Sequence, residues 1–225
     1  MKNEELFLIY TDVVGSTPLD EGNEDPISWR ETSFLEQLKM LLSIENSLAL
    51  KSIGDALFIT VKSDTTSVES RKLLCKKVLA CTYKAYTKSK KAGIKSTLKK
   101  EIKIRAVVHL INEHYFGDRI ANKIINAIKK GDIDDADMKK SGLLIKALQE
   151  DIFGTEVNKA ARIQSLVKSD AILVSEEIAR IIEDEDVKYI EKKIKLGYIS
   201  FEYNKEKYRL HSSVPVIKLK GLALF

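Results

Sequence analysis

Two aspartates interrupt segments that are otherwise apolar. Asp12 lies in the segment IYTDVVGST, and Asp55 lies in the segment LKSIGDALF. A buried ionised aspartate is costly unless a cation accompanies it, so two of them on neighbouring strands indicate a site for divalent ions. Two metal ions held by a carboxylate pair suit phosphoryl transfer, because one activates a hydroxyl and the other neutralises a triphosphate. Taken singly, Asp12 could cap the turn at Gly15, and Asp55 could be the bend residue of an ordinary hairpin.

The apolar periodicity around these aspartates alternates between strands and helices. Residues 6–14 form a run rich in β-formers, typical of a strand buried on both faces. Two short apolar runs separated by residues 51–55 indicate a hairpin, and residues 129–141 have the mixed charge of a surface loop. The remaining pattern predicts helices over 28–46, 66–91, 120–130, 155–168 and 176–182, and strands over 102–111, 172–174, 198–203, 207–211 and 216–219. We therefore predict one α/β (α+β) domain over residues 1–225, with a mixed sheet flanked by helices.

Composition limits the classes of partner. The chain has 225 residues, of which 44% are hydrophobic and 32% charged, enough for one sizeable core. The net charge of +5 suits a phosphate-bearing ligand, but no interleaved aromatic platform accompanies the lysines of the helix at 66–91, so we predict no nucleic-acid partner. Cys75 and Cys81 are too few for a disulfide framework. The N-terminus lacks a signal-peptide pattern and no apolar run approaches about 20 residues, which predicts a cytoplasmic protein without a membrane partner.

Four motifs in the same order resemble the catalytic domain of the class III adenylyl/guanylyl cyclases. The first metal motif of that family resembles Phe7 to Thr17, and the second resembles Lys51 to Phe58. The helix-start motif resembles DIFGTEVNKAAR from Asp151 to Arg162, and the closing Leu-Lys-Gly resembles Leu219 to Gly221. The resemblance implies a ferredoxin-like, palm-type mixed sheet. It also implies conversion of a nucleoside triphosphate to a 3′,5′-cyclic nucleotide and pyrophosphate.

The resemblance assigns the metal-binding and phosphate-binding roles to the N-terminal half. Asp12 and Asp55 are expected to bind two Mg²⁺ or Mn²⁺ ions. The backbone amides near Val13 to Ser16, including Gly15 and Ser16 themselves, are expected to cradle phosphate. One chain would therefore supply both the ions and the loop that holds the triphosphate.

The resemblance assigns the remaining contacts to residues mostly in the C-terminal half. Lys51 and Asp151 occupy the positions that read the base and favour adenine over guanine, the lysine facing ring N1 and the carboxylate accepting from the 6-amino group. Asn158 is expected to orient the ribose, and Arg162, at i+4 on the same helix face, to stabilise charge on the α-phosphate. Lys220 is expected to hold the terminal phosphates.

In this family one subunit supplies the metal aspartates and the other supplies the base, ribose and transition-state residues. The chain carries both sets, so a homodimer with two equivalent interfacial sites is implied. The segment from Tyr115 to Glu150 is longer than the usual connection of the family and reads as an insertion. His109 and His114, five residues apart, have poor spacing for a metal site.

Other readings of the same residues lead to other functions. The stand-alone size resembles the pyrimidine cyclases of bacterial antiphage systems, which implies cyclic UMP or cyclic CMP made from UTP or CTP as an alternative product. A catalytically inactive cyclase-like binding module would normally lack an aspartate, and Asp12 and Asp55 are both present. A polymerase-like palm would use the same two carboxylates but would leave Asn158 and Arg162 without a role.

Overall fold

The computed structural model describes residues 4–21, 25–63, 66–132, 138–149, 151–166, 171–182, 188–189 and 196–213. Its centre is an eight-stranded mixed sheet with the strand order β2-β3-β1-β4-β7-β10-β9-β8, and a separate two-stranded sheet joins β5 to β6. The strands are β1 (Leu6–Val13), β2 (Ser47–Ile53), β3 (Ala56–Lys62), β4 (Ile104–Ile111), β5 (Tyr115–Phe116), β6 (Ile152–Phe153), β7 (Ala171–Val174), β8 (Lys188–Tyr189), β9 (Leu196–Tyr203) and β10 (Glu206–Ser213).

Seven helices accompany the strands in the described part of the chain. They are α1 (Ser16–Glu21), α2 (Pro26–Leu41), α3 (Val68–Lys95), α4 (Asp118–Lys130), α5 (Met138–Gln149), α6 (Thr155–Leu166) and α7 (Glu176–Ile182). Side chains satisfy the free amides at the start of α2 and α3: Asp25 accepts from the amide of Ser28 at 3.2 Å, and Ser67 accepts from the amide of Ser70 at 3.0 Å.

Strand β1 lies at the centre of the sheet and is antiparallel to both of its neighbours. Thr11 pairs with Leu57 of β3 and with Ala106 of β4. Strand β7 is parallel to β4 and to β10, so the sheet is mixed. Because successive residues of a strand point to opposite faces, the odd-numbered residues of β1 face one layer of helices and the even-numbered residues face another.

The two faces of the sheet are covered unequally. Helices α2, α3 and α7 cover one face, and their largest core cluster includes Phe7, Ile9, Leu41, Leu79, Val108 and Ile178. The opposite face carries Leu6, Leu8 and Phe58 and is covered by α6 through Ala160 and Ile163. Burial of these apolar side chains is the main force that fixes the helices on the sheet.

The segment predicted as an insertion forms a helical hairpin. Helices α4 and α5 pack on each other, and α4 ends at Gly131, whose φ of 78° is the left-handed conformation typical of a helix C-terminus. The predicted loop over 129–141 was therefore partly wrong, because α5 already begins at Met138. The hairpin turn also differs from our prediction: Lys51 lies within β2, and only Gly54 and Asp55 form the bend.

The mixed sheet flanked by helices confirms the predicted fold class. The predicted strand over 216–219 lies outside the described residues. Both cysteines are free, Cys75 buried and Cys81 half-buried. Among the described residues, none of the helices has the length and apolarity that a membrane crossing requires.

We expect Gly117→Ala to destabilise the protein, because a Cβ there would lie 1.7 Å from the backbone oxygen of Leu148. Overpacking of this kind typically costs about 1–3 kcal/mol. Gly142→Ala is the matched control, since a Cβ at this exposed position of α5 meets nothing within 4 Å. It should raise the free energy of unfolding by about 0.5–1 kcal/mol. Thermal and urea unfolding measure both variants, and equal effects would contradict the close approach at Gly117.

Candidate active site

Asp12 lies near the end of β1, on the sheet face that α6 covers. Its Oδ2 atom accepts hydrogen bonds from Nε of Arg105 at 2.7 Å and from Nε2 of Gln164 at 2.9 Å, and a second guanidinium nitrogen of Arg105 is 2.5 Å away. The preceding residue, Thr11, is buried on the opposite face and donates to Oε1 of Gln37 at 2.5 Å. Both sides of the strand end are thus held by polar contacts, and the carboxylate of Asp12 is compensated by a cation.

Asp55 reaches the same end of the sheet from the turn between β2 and β3. Its Oδ2 atom is buried and has no hydrogen-bond partner. Asp12 and Asp55 both act on the hydroxyl of Tyr10: burial raises the pKa of Tyr10 above its ordinary value, and the two carboxylates raise it further, while Arg105 opposes them. Asp12 and Asp55 thus lie at the same end of the β1–β3 ladder, whose last pair is Thr11 with Leu57, and their joint role in metal binding stays a prediction.

The donor set at this end of the sheet fits divalent cations. A buried carboxylate oxygen without a partner, as in Asp55, is costly and is satisfied by a metal ion. Within the described ranges, no cluster of three or more His, Cys, Asp or Glu side chains could hold an ion. Mg²⁺ is commonly bound by one or two carboxylates, with substrate phosphates and water as the other ligands. A pair of carboxylates, with a triphosphate and water as the other ligands, therefore suits Mg²⁺ better than a complete set of protein ligands would.

The turn after β1 presents fewer free amides than expected. The amide of Val14 already donates to the carbonyl of Lys103 at 2.9 Å, and Val13 pairs with Ile104 in the β1–β4 ladder. The chain then turns at Gly15, which is exposed and has a φ of 70°, and α1 begins at Ser16. The phosphate cradle predicted over Val13 to Ser16 thus lacks the amide of Val14, and its other amides stay a prediction.

Lys51 and Asp151, which are 100 residues apart in sequence, form an ion pair. Nζ of Lys51 lies 2.5 Å from Oδ1 of Asp151, and the same oxygen accepts from the amide of Ile152 at 2.8 Å. Nζ of Lys51 also lies 4.8 Å from the ring centroid of Phe58, which contacts Tyr10 edge to face. The pair is half-buried, so its charged edge remains accessible to a ligand.

Asn158 and Arg162 are exposed on the outer face of α6. The inner face of this helix packs on the sheet through Ala160 and Ile163, both fully buried. Residues at i and i+4 share one side of a helix, so Asn158 and Arg162 point together away from their own sheet. Lys220, the remaining predicted contact, lies outside the described residues.

Arg105 and Gln164 are site residues that the sequence analysis missed. Arg105 is the one charged residue in the segment IRAVVHLI of β4, and it pairs directly with Asp12 across the antiparallel ladder. A cation in an apolar strand was a detectable signal, but its partner depends on the register between β1 and β4. The position of Gln164 could have been predicted from the periodicity of α6, which puts this residue on the inner face with Ala160.

The two histidines do not form a joint site. His109 is buried, and its Nε2 lies 2.8 Å from Oε2 of Glu156, whereas His114 lies edge to face on Phe116 with centroids 5.1 Å apart. Burial lowers the pKa of His114 below its ordinary value, which keeps it neutral near pH 7.

Comparison with known proteins identifies solved structures with a similar fold. No family model matches the chain, and no curated protein matches it. Among solved structures, the adenylyl cyclase CyaB from P. aeruginosa matches with a TM-score of 0.55 and 15% identity, over 92% of this chain and 91% of that chain. The guanylyl cyclase Cya2 matches with a TM-score of 0.54 and 12% identity, over 94% and 92% of the two chains.

A third structure was solved with a nucleotide. The guanylate cyclase domain of RhGC from Catenaria anguillulae, in complex with GTP, matches with a TM-score of 0.55 and 13% identity, over 92% of this chain and 94% of that chain. The chain has the fold of adenylyl and guanylyl cyclase catalytic domains. The coverage confirms the fold implied by the four motifs.

We expect Asp55→Ala to remove a metal-dependent stabilisation without destabilising the metal-free protein. In EDTA the variant loses only a carboxylate with an unpaired buried oxygen, so its melting temperature should equal or exceed that of the wild type. Addition of Mn²⁺ with inorganic triphosphate should raise the melting temperature of the wild type and leave that of the variant unchanged.

Glu101→Ala is the control for this experiment. Glu101 is an exposed carboxylate between α3 and β4, so its variant should respond to Mn²⁺ and triphosphate as the wild type does. An unchanged response of Asp55→Ala, or no response of the wild type, would contradict a metal site at Asp55.

Proposed function

We propose that the protein is a nucleotidyl cyclase that converts a nucleoside triphosphate to a 3′,5′-cyclic nucleotide and pyrophosphate. The observation that supports this most strongly is the position of Asp12 and Asp55 at the same end of the β1–β3 ladder, with a buried carboxylate oxygen of Asp55 left without a hydrogen-bond partner. The overall fold supports the same reaction, because the adenylyl and guanylyl cyclases it resembles carry out this chemistry on ATP and GTP.

Asp12 and Asp55 would hold two Mg²⁺ or Mn²⁺ ions. When bound, the ions lower the pKa of the ribose 3′ hydroxyl and neutralise the triphosphate. The 3′ oxygen forms a bond to the α-phosphorus, the bond from that phosphorus to the bridging oxygen of the β-phosphate breaks, and pyrophosphate leaves. Arg105 would be released from Asp12 as cations replace it, which leaves a guanidinium beside the phosphates.

The catalytic helix α6 would act on a nucleotide held by a second copy of the chain. Asn158 and Arg162 are exposed and point away from their own sheet, whereas Asp12 lies beneath α6 and contacts its inner face through Gln164. A nucleotide on the aspartates of one subunit is therefore reached by the outer face of α6 from a partner. We accordingly propose a homodimer with two interfacial sites, in which Asn158 orients the ribose and Arg162 stabilises charge on the α-phosphate.

The Lys51–Asp151 pair would select the base. The ammonium of Lys51 is a donor and the carboxylate of Asp151 is an acceptor, and the two lie side by side. Adenine matches this pair with its 6-amino donor and its N1 acceptor, whereas guanine presents a carbonyl and a protonated nitrogen at the same positions. ATP is therefore the favoured substrate.

The same pair favours CTP among the pyrimidine nucleotides. Cytosine presents a 4-amino donor beside the N3 acceptor, which is the pattern that adenine presents, whereas uracil presents a carbonyl and an N–H. CTP is the second candidate for this reason, and UTP does not match the Lys51–Asp151 pair.

We expect the purified protein to turn over ATP, or else CTP, when each of the four nucleoside triphosphates is supplied with Mn²⁺ and the product is identified by mass spectrometry. Exclusive turnover of UTP or GTP would contradict the proposed role of the Lys51–Asp151 pair. Absence of any cyclic product, with the metal-dependent stabilisation intact, would instead favour a nucleotide-binding module.

We expect Arg162→Ala to lower kcat by about 10²-fold or more with little change in KM, because it removes a contact that strengthens only in the transition state. Initial rates over a range of nucleotide concentrations separate the two constants. Arg119→Ala is the control, since Arg119 is an exposed arginine on α4 and should keep the wild-type rate. A change in KM alone for Arg162→Ala would show that Arg162 binds substrate without stabilising the transition state.

A further inference from the structure

A half-buried ionic cluster joins the inner face of α6 to β4 and to α7. His109 of β4 has no exposed surface, and its Nε2 lies 2.8 Å from Oε2 of Glu156. Nζ of Lys159 lies 3.3 Å from Oε2 of Glu156 and 3.0 Å from Oε1 of Glu177, which is near the start of α7. Nδ1 of His109 lies 3.8 Å from Oε2 of Glu177. We call His109, Glu156, Lys159 and Glu177 the α6 anchor.

Three members of the α6 anchor, Glu156, Lys159 and Glu177, keep their charges near neutral pH. The hydrogen bond with His109 holds the pKa of Glu156 below its ordinary value, and the charge of Lys159 lowers it further. Burial by itself would raise the pKa of Glu177, but its backbone hydrogen bond and those from Lys159 and Ser175 bring it below the ordinary range. Burial would lower the pKa of Lys159, yet Glu177 and Glu156 raise it. Two carboxylates therefore face one ammonium and one buried imidazole.

The α6 anchor lies directly behind the residues proposed to act on the nucleotide. Glu156 and Lys159 flank Asn158 in sequence but point to the inner face of α6, while Asn158 and Arg162 are exposed on the outer face. The apolar contacts of Ala160 and Ile163 turn the inner face of α6 toward the sheet, and the hydrogen bond from Gln164 to Asp12 lies on the same face. Hydrogen bonds are directional and fix both the rotation and the axial position of the helix.

We propose that the α6 anchor is a positioning device for catalysis, which holds Asn158 and Arg162 in register with the nucleotide bound by the aspartates of the partner subunit. The inference rests on the proposed cyclase function and on the shared site. Glu156 is the central member, because one carboxylate oxygen contacts both His109 and Lys159. None of the four residues needs to touch the substrate for this role.

The test uses heterodimers in which a single site is complete. One chain carries Asp55→Ala and the other carries Arg162→Ala, with different affinity tags for purification of the mixed dimer. The complete site combines the aspartates of the Arg162→Ala chain with α6 of the Asp55→Ala chain. Glu156→Gln, which keeps the volume of the side chain, is then added either to the chain that supplies the working α6 or to the other chain.

We expect the position of Glu156→Gln to determine its effect. On the chain that supplies the working α6, it should lower kcat by about tenfold to 100-fold with KM within about twofold, because a displacement of about 1 Å has a cost of that size. On the other chain, Glu156→Gln should leave the rate unchanged from that of the parent heterodimer. The two dimers have the same composition, so a general loss of stability would lower both rates equally, and their melting temperatures should agree.

Three other outcomes would overturn the inference. They distinguish a failure of the positioning role from a failure of the shared site and from a failure of the proposed function. Equal rates of the two dimers, whether lowered or unchanged, would show that Glu156 does not position the α6 that acts on the nucleotide. An inactive parent heterodimer beside an active wild-type protein would refute the shared site on which the inference rests. A wild-type protein that cyclises none of the four nucleotides would refute the proposed function itself.

Discussion

The compensation of negative charge at the end of β1 is the constraint on which the candidate site depends. The sheet brings Asp12 and Asp55 to one place, and the chain supplies only part of the positive charge that they need. Arg105 neutralises Asp12 across the β1–β4 ladder, but the buried Oδ2 of Asp55 has no hydrogen-bond partner. The unpartnered oxygen is the basis of the metal ligand that we propose at Asp55.

The proposed metal-binding residues lie apart from the residues that we propose to contact the base and the α-phosphate. Lys51 lies on β2 over the ring of Phe58, and Phe58 contacts Tyr10, so an aromatic pair stands between the base-reading residues and Asp12. Strands β2 and β1 are two strand spacings apart, which is roughly 10 Å. Arg162 points away from the same sheet altogether. This separation supports the proposal that a second copy of the chain completes the site.

The sequence predicted the elements with strong periodicity and missed the contacts that depend on register. The continuous apolar run of β1 and the motif at the start of α6 correctly located Asp12 and Asn158 on their elements. Lys51 was expected in a bend, but β2 and β3 stay paired up to Ile53 and Ala56, which puts Lys51 inside a strand. Local composition does not reveal how far two strands remain paired. The partner of Arg105 was unpredictable for the same reason.

The helical hairpin of α4 and α5 is tied to the base-reading position by its own backbone. The amide of Gly117, just before α4, donates to the carbonyl of Asp151 at 3.0 Å, and the amide of Asp151 donates to the carbonyl of Leu148 in α5 at 3.2 Å. Both ends of the hairpin therefore hold the residue that pairs with Lys51. Because the side chain of Asp151 can move only as far as this backbone allows, the hairpin would help to define the base pocket that we propose, although its sequence lies outside the four motifs that resemble the cyclases. Base selection in this chain is thus expected to depend on residues that a motif comparison would not identify.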